Sequence, residues 1–275
     1  MSNTASHTHE QFAAAAFSLQ SGIFDRIYAG NTIIDYKRQR VREHTMKYLP
    51  AESSILELNS GTGEDAIFFA GKGHHIHATD ISEGMQLILK QKVAEQGFQD
   101  KISTELCSFT QLDLLQNKGP YDLIFSNFGG LNCTGDLEKV LNSLEDLVKP
   151  GGQITLVIIS TFCLWETLIL FKGKFKTATR RFFSGKGRNA NIEGLSFTCW
   201  YYDAGFIQQK MKRKFDVISV EGLCSIVPPS YIEGFAEKYS RTFSFLSRME
   251  NKLKHLWPIR SFGDYFIISL RRKLL

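Results

Sequence analysis

Four residues near the start of the chain have the types and spacing to hold a ligand charged at one end. Gly61 and Gly63 sit in Asn59-Ser60-Gly61-Thr62-Gly63, between the apolar run Ile55 to Leu58 and a helical stretch beginning at Glu64. Two glycines let the backbone turn tightly and leave amides free at the N-terminus of the next helix, where a carboxylate or other electronegative group is received. Asp80 closes the following strand, and an acid there can accept both hydroxyls of a ribose. Glu57 stands before the glycines, inside an otherwise apolar strand end.

Two ligands compete for this arrangement. Gly61-x-Gly63-x-x-Ala66 satisfies the dinucleotide fingerprint, which would make the chain an NAD-dependent oxidoreductase. Glu57 separates the two, because a carboxylate there repels a pyrophosphate and attracts an ammonium group. A ligand with an amino acid at one end and a ribose at the other fits Glu57, Gly61, Gly63 and Asp80 together. The expected cofactor is therefore S-adenosyl-L-methionine (SAM), with S-adenosylhomocysteine (SAH) as its product.

The elements that must position these residues alternate along the chain. Helical stripes at 9–20 and 32–49 precede a first strand at 55–58. Next come a helix from Glu64 to about Lys72, a strand at 75–80 and a helix carrying Ile81, Met85, Ile88 and Leu89. Ile102 to Leu106 and Leu123 to Phe125 read as strands. Leu137, Val140, Leu141, Leu144 and Leu147 form a helix stripe ended by Pro150-Gly151-Gly152, and Ile154 to Ile159 is a strand covered on both faces. Five such units predict an α/β fold with a doubly wound, mostly parallel sheet, since parallel strands need crossover helices. Beyond Ser160 the rhythm breaks. An apolar helix, a basic segment and a strand near 195–200 are followed by a helix at 203–213 and a strand at 215–227. Long helices over 231–257 and a last strand at 265–270 close the chain.

The runs ILELNSGTGEDA (55–66), HATDIS (77–82), YDLIFSNFGGLN (121–132) and LVKPGGQITLVI (147–158) resemble class I SAM-dependent methyltransferases, above all small-molecule enzymes like those of quinone biosynthesis. The resemblance implies a Rossmann-like seven-stranded sheet with an antiparallel last strand and a helical/β cap inserted after the fifth strand. It implies N-terminal helices at 1–50 closing over the cofactor, a SAM-binding core at 51–160, a substrate cap at 161–202 and a completion of the core at 203–275. It places Glu57 and the backbone of Asn59, Ser60, Gly61, Thr62 and Gly63 around the methionine part. Asp80 falls on the ribose, with Ile81 and Met85 beside the adenine. Ser108 and Phe109 fall at the adenine edge, Asn127 and Phe128 beside the sulfonium, and Tyr28 and Arg38 become candidates for the ligand carboxylate. Two positions depart from the family pattern. Asn59 replaces a small residue, which would narrow the loop, and Ser108 stands where many members have an aspartate that accepts from the adenine amino group.

Methyl transfer asks the protein to align a nucleophile and exclude water. A phenol or alcohol acceptor must also lose its proton. No base declares itself, Tyr202 and Asp203 being weak candidates, so a SAM-binding protein without catalysis is a second alternative. Asn127 is followed by Phe-Gly-Gly rather than Pro-Pro-Tyr, which counts against methylation of nucleic-acid amino groups. O- or C-methylation of a small hydrophobic acceptor is expected.

Composition sets the remaining bounds. The 275 residues carry a net charge of +5, and the stretch 161–190 holds seven Lys or Arg against Glu166 alone. Phe171, Phe175, Phe182 and Phe183 thread this segment, which suggests an acceptor with an anionic group, or at most peripheral membrane contact through 172–188. A nucleic-acid binder would spread its charge more broadly, so no nucleic-acid partner is expected. Five cysteines without a C-x-x-C, and no signal-like N-terminus, point to reduced thiols in the cytoplasm. His74, His75 and His77 lack a carboxylate or Cys at ligand spacing, and no metal is expected.

Overall fold

The computed structural model describes residues 2–168, 173, 175, 179–182, 185 and 187–274. Two helices, α1 (Ser2–Tyr28) and α2 (Thr32–Met46), precede an alternating core. The core runs β1 (Ser54–Leu58), α3 (Glu64–Gly71), β2 (His75–Asp80), α4 (Glu83–Gln96), β3 (Ile102–Leu106), β4 (Tyr121–Ser126), α5 (Leu137–Ser143) and β5 (Val148–Ile159). After β5 come α6 (Leu164–Leu168), a hairpin of β6 (Arg188–Ile192) and β7 (Leu195–Cys199), and α7 (Ala204–Met211). The chain ends with β8 (Phe215–Leu223), α8 (Phe235–Lys238), α9 (Ser240–Leu253) and β9 (Tyr265–Arg272).

Seven strands form one sheet in the order β3-β2-β1-β4-β5-β9-β8, parallel except for β9, which runs antiparallel to both neighbours. The chain winds outward from β1 to β3 and then returns to β4 beside β1. Ligands bind outside the carboxyl ends of the strands at such a reversal. Leu56, Leu58, Ile124, Leu156 and Ile158 fill one face of the sheet, and Ile55, Phe69, Leu123, Phe125 and Val157 the other. This two-sided burial is why these strands read as unbroken apolar runs.

Several boundaries differ from those expected of the sequence. The fifth strand begins at Val148 and passes through Pro150-Gly151-Gly152, with an irregular register against Tyr121 to Leu123, so α5 stops at Ser143. The strand expected at 215–227 ends at Leu223, because Cys224 takes a positive φ of 56° and turns the chain. The strand near 195–200 has an unforeseen partner in β6, joined through Glu193-Gly194, both at positive φ. Two such residues make the tight hairpin turn that matches strand twist.

The segment after β5 is tied to the core by ions. Arg181 is buried, and its guanidinium donates to Glu166, to Asp264 and to the carbonyl of Ser160. Arg188 lies in β6. Phe175 and Phe182 are exposed, whereas Phe171, Lys172, Lys174, Lys176, Phe183 and Lys186 lie outside the described residues. A second buried network anchors α2. Arg40 donates to Glu221 (2.9 Å) and Glu250 (3.3 Å), and His44 bonds Glu221 (2.7 Å) through Nδ1 and Ser269 (2.8 Å) through Nε2. All five cysteines are buried and free. Among the described residues no helix is long and apolar enough to cross a membrane.

Candidate functional site

The site is built on the carboxyl ends of β1, β2 and β4. Asp80 faces the glycine loop, and its two carboxylate oxygens accept the N–H groups of Gly61 (2.9 Å) and Ser82 (2.8 Å). It therefore shapes the loop as well as presenting an acid to the space above, and burial raises its pKa despite these amides. Gly63 caps α3 at φ 84°, and a Cβ there would lie 2.0 Å from Leu89 Cδ1, so only glycine lets the loop approach α4. Asn59 also has a positive φ, tolerable for asparagine. Its side chain crosses to β4. It accepts from Ser126 Oγ (2.6 Å) and donates to the Asn127 carbonyl (3.1 Å). Gly130 makes room for it, since a Cβ there would meet Asn59 Cγ at 2.3 Å.

Above these strand ends lies a cleft with about 830 Å³ of empty space. Arg38, Glu57, Asn59, Ser60, Gly61, Thr62, Asp80, Ile81, Met85, Phe109, Asn127 and Phe128 all line it. Its roof is one face of α1, made by Glu10, Ala13, Ala14 and Phe17 at helical spacing. The helix is held down beyond that face as well. Thr62 Oγ1 donates to Asp25 (2.6 Å), Lys92 pairs with Asp25 (2.6 Å), and Ser18 Oγ meets Ser82 Oγ (2.7 Å).

Five residues expected at the site do not line the cleft: Gly63, which caps α3, and the four that follow. Tyr28 does not line the cleft. It packs edge-on against Phe24, which does, with ring centroids 4.7 Å apart. Ser108 lies behind the lining, its hydroxyl bonded to Glu10 and to Thr110. Asp203 is the N-cap of α7, accepting from Phe206 N–H (2.8 Å). Tyr202 donates its hydroxyl to the Thr134 carbonyl. Neither Tyr202 nor Asp203 lines the cleft, and both side chains are committed to local structure.

Several lining residues were not foreseen from the residue pattern. Glu10 and Phe17 reach the cleft only because α1 folds across it, although the spacing of 10, 13, 14 and 17 is a helical stripe that could have been read. Asp65, in the first turn of α3, binds Arg42 (2.7 Å) and Asn127 Nδ2 (2.7 Å), with Arg38 at 3.7 Å. Cys133 comes in after β4.

The electrostatics suit a ligand with a cationic end. Glu57 is 3% exposed, and its Oε2 has no hydrogen-bond partner among the described residues. Burial and the nearby Asp65 and Asp80 carboxylates push its pKa well above the usual range, against the pull of Arg42 and Arg38. A buried carboxylate oxygen lacking a donor costs free energy that an ammonium would offset. Arg38, on the same wall with its guanidinium 5.0 Å from the Phe128 ring centroid, can take a carboxylate. The residues present therefore fit an amino acid at this end and a ribose at Asp80. Among the described residues no group of three His, Cys, Asp or Glu is placed to hold a metal.

A second cavity, with about 1440 Å³ of empty space, adjoins the first and shares Phe17, Phe128 and Cys133 with it. Ile159, Phe197, Tyr201, Tyr231 and Tyr265 give it apolar and aromatic walls, and Lys37, Arg180, Arg181 and Arg188 bring positive charge. The Lys37 ammonium is buried, donates to Ser230 Oγ (3.1 Å), and stands 4.9 Å and 5.5 Å from the ring centroids of Tyr265 and Phe128.

Residues 55–152 match the family described as a methyltransferase domain. Over 110 residues the chain is 31% identical to the tuberculostearic acid methyltransferase UfaA1 of Mycobacterium tuberculosis, covering 39% of this chain and 24% of the relative. It is 29% identical over 143 residues to a demethylmenaquinone methyltransferase of Bacillus subtilis, covering 48% of this chain and 60% of the relative. The chain thus spans about a quarter and three fifths of these two curated relatives. Among solved structures, the CcbJ methyltransferase of Streptomyces caelestis superposes with a TM-score of 0.60 at 14% identity, over 93% of this chain and 96% of that one. The sheet order, the match across β1 to β5 and these relatives agree with the cleft at the topological reversal: residues 55–152 match a methyltransferase domain, and the chain is similar to class I SAM-dependent methyltransferases.

Proposed function

We propose that the protein binds SAM in the cleft beneath α1 and transfers its methyl group to a small hydrophobic acceptor held in the adjoining cavity. One observation carries this reading. The two cavities meet at Phe17, Phe128 and Cys133, so a ligand anchored at Glu57 and Asp80 has its middle, where a sulfonium would lie, next to a separate aromatic chamber. The orphaned oxygen of Glu57 favours an ammonium-bearing ligand over a pyrophosphate and so disfavours the dinucleotide alternative.

When bound, SAM supplies an activated methyl group. The protein's own part is then to place the ligand and bring an acceptor in line. Glu57 holds the ammonium, Arg38 takes the carboxylate, and Asp80 accepts the ribose hydroxyls. Phe17 and Phe128 exclude water at the junction. Neither Tyr202 nor Asp203 is positioned to remove a proton. Instead, the buried Lys37 ammonium beside Phe128 favours an acceptor that already carries an ionised oxygen, such as a phenolate or an enolate. Attack through oxygen or through carbon then needs no separate base. The two curated relatives are named for a fatty acid and a quinone, both hydrophobic, which agrees with the aromatic walls.

Calorimetric titration with SAM, SAH and NADH in parallel tests the cofactor. Saturable binding of the two adenosyl ligands without NADH supports it, and binding of NADH alone overturns it. A panel of lipophilic phenols and quinols, scored for methylated product, then separates an enzyme from a SAM-binding protein that does no chemistry.

A further inference from the structure

Glu10 is an acid set in an apolar roof. It is 1% exposed, on the cleft face of α1, with Ala13 and Ala14 beside it on the same helix and Phe109 among the facing residues. Its Oε2 accepts from the hydroxyls of both Ser108 and Thr110, the latter at 2.7 Å. Thr110 N–H in turn donates to Ser108 Oγ at 3.0 Å, which fixes the serine hydroxyl that faces the acid. These two hydroxyl donors fix the orientation of the Glu10 carboxyl group.

Its place relative to the other acids gives it a role. Glu57 marks the amino-acid end of the cleft and Asp80 the ribose. Ile81, Met85 and Phe109 also line the cleft, an apolar set suited to the faces of a flat ring, and Glu10 stands beside Phe109 through its bonds to Ser108 and Thr110. Adenine presents an exocyclic amino donor at its edge, and such a donor needs an acceptor in an otherwise apolar slot. We propose that Glu10 accepts from the adenine amino group, so that the acid missing at position 108 is supplied from α1 and held in place by Ser108 and Thr110. This inference rests on the reading of the cleft as a SAM site. It has a structural corollary: the base-reading group belongs to the helix that roofs the cleft, so recognition of the base and docking of α1 are one event.

The test compares SAH with S-inosylhomocysteine, in which a 6-oxo group replaces the amino group, by calorimetry on the full chain. A site built around an acceptor rejects the oxo analogue, and the wild type should prefer SAH by about a hundredfold or more. In Glu10→Gln the side-chain amide can donate to the oxo group, so the preference should fall to within about tenfold, with SAH itself bound about tenfold more weakly. Glu10→Asp keeps the charge but withdraws it by one methylene, and should fall between the two. It also keeps the test decisive should the glutamine variant fold poorly. An undiminished preference for SAH in both variants overturns the assignment while leaving the SAM site standing. Failure of the wild type to bind SAH at all removes the SAM site and this assignment with it.

Discussion

Glu57 and Asp80 stand at the carboxyl ends of the adjacent strands β1 and β2, both turned into one cleft, and the charge of Asp80 makes Glu57 harder to ionise. Two buried acids so close together are costly, because the desolvation penalty of each is several kcal/mol. A ligand that brings an ammonium to one and hydroxyls to the other relieves both, and the first two predictions follow from that division of labour.

Glu57→Gln should weaken SAH by about 2 kcal/mol, the size of a lost charge-assisted contact. The pH dependence has a definite sign. Burial, then the Asp65 carboxylate, raises the pKa of Glu57, so its charge is lost at a pH above the usual carboxylate range. Wild-type affinity should therefore decline on acidification before ordinary glutamates titrate near ~4.3. The variant, with nothing to protonate there, should not follow. Calorimetry across this range checks both, and parallel curves for the two proteins would remove Glu57 from the site.

Asp80→Ala should cost on the order of 2 kcal/mol in SAH affinity, through lost hydrogen bonds to the ribose. Because Asp80 also accepts from Gly61 and Ser82, some of the loss will come from a loosened glycine loop. A 2′,3′-dideoxy analogue separates the two contributions: it should bind the wild type poorly and lose little more in the variant. Unchanged affinity of Asp80→Ala for SAH would place the ribose elsewhere.

Gly63→Ala should destabilise the fold by roughly 1–3 kcal/mol, since its φ of 84° is strained for alanine and its Cβ would strike Leu89. The double variant Gly63→Ala/Leu89→Ala removes the clash but not the strained φ. In thermal melts Gly63→Ala should therefore cost less in the Leu89→Ala background than in the wild type. An equal cost in both backgrounds would show that φ alone excludes alanine.

Lys37→Met should leave SAH affinity within about twofold while lowering turnover roughly a hundredfold, as expected for losing a preorganised charge beside the reacting oxygen. Initial rates with an acceptor identified from the phenol and quinol panel, set against calorimetry, make the comparison. A loss of SAH binding equal to the loss of rate would return Lys37 to a purely structural pairing with Asp264 and Ser230.

Glu221→Gln should cost on the order of 3–5 kcal/mol, because it leaves the buried Arg40 and His44 without a full partner. Burial alone would raise the pKa of Glu221, but the hydrogen bond and charge of His44, with Arg40 and Lys254, hold it far below the usual value. A depressed folded pKa stabilises the protein above the unfolded value, near ~4.3, and that stability is lost as pH falls below it. Urea unfolding at neutral and acid pH should show the wild type losing more of its stability on acidification than the variant.

What the sequence determined by itself was local. The apolar run, the glycines and Asp80 sit on one strand-turn-helix-strand unit whose geometry is dictated by neighbours a few residues away, so the loop, β2 and β3 fall where periodicity and turn chemistry put them. The sheet order and the reversed last strand were legible through the resemblance, since four motifs in register fix a topology. Only tertiary structure decided the rest. Whether Ser108 faces the cleft depends on Glu10, 98 residues away, which takes its hydroxyl. Whether Asp203 is a base or a cap depends on where α7 starts, and it caps. The β6 strand was hidden inside a charged segment, because its two-residue turn at Glu193-Gly194 shows itself only once both strands pair. The ion pairs of Arg40 and Arg181 likewise join residues separated by 181 and 83 positions. Contacts over such distances are set by how elements dock, and a linear pattern carries propensity for the elements but not their docking.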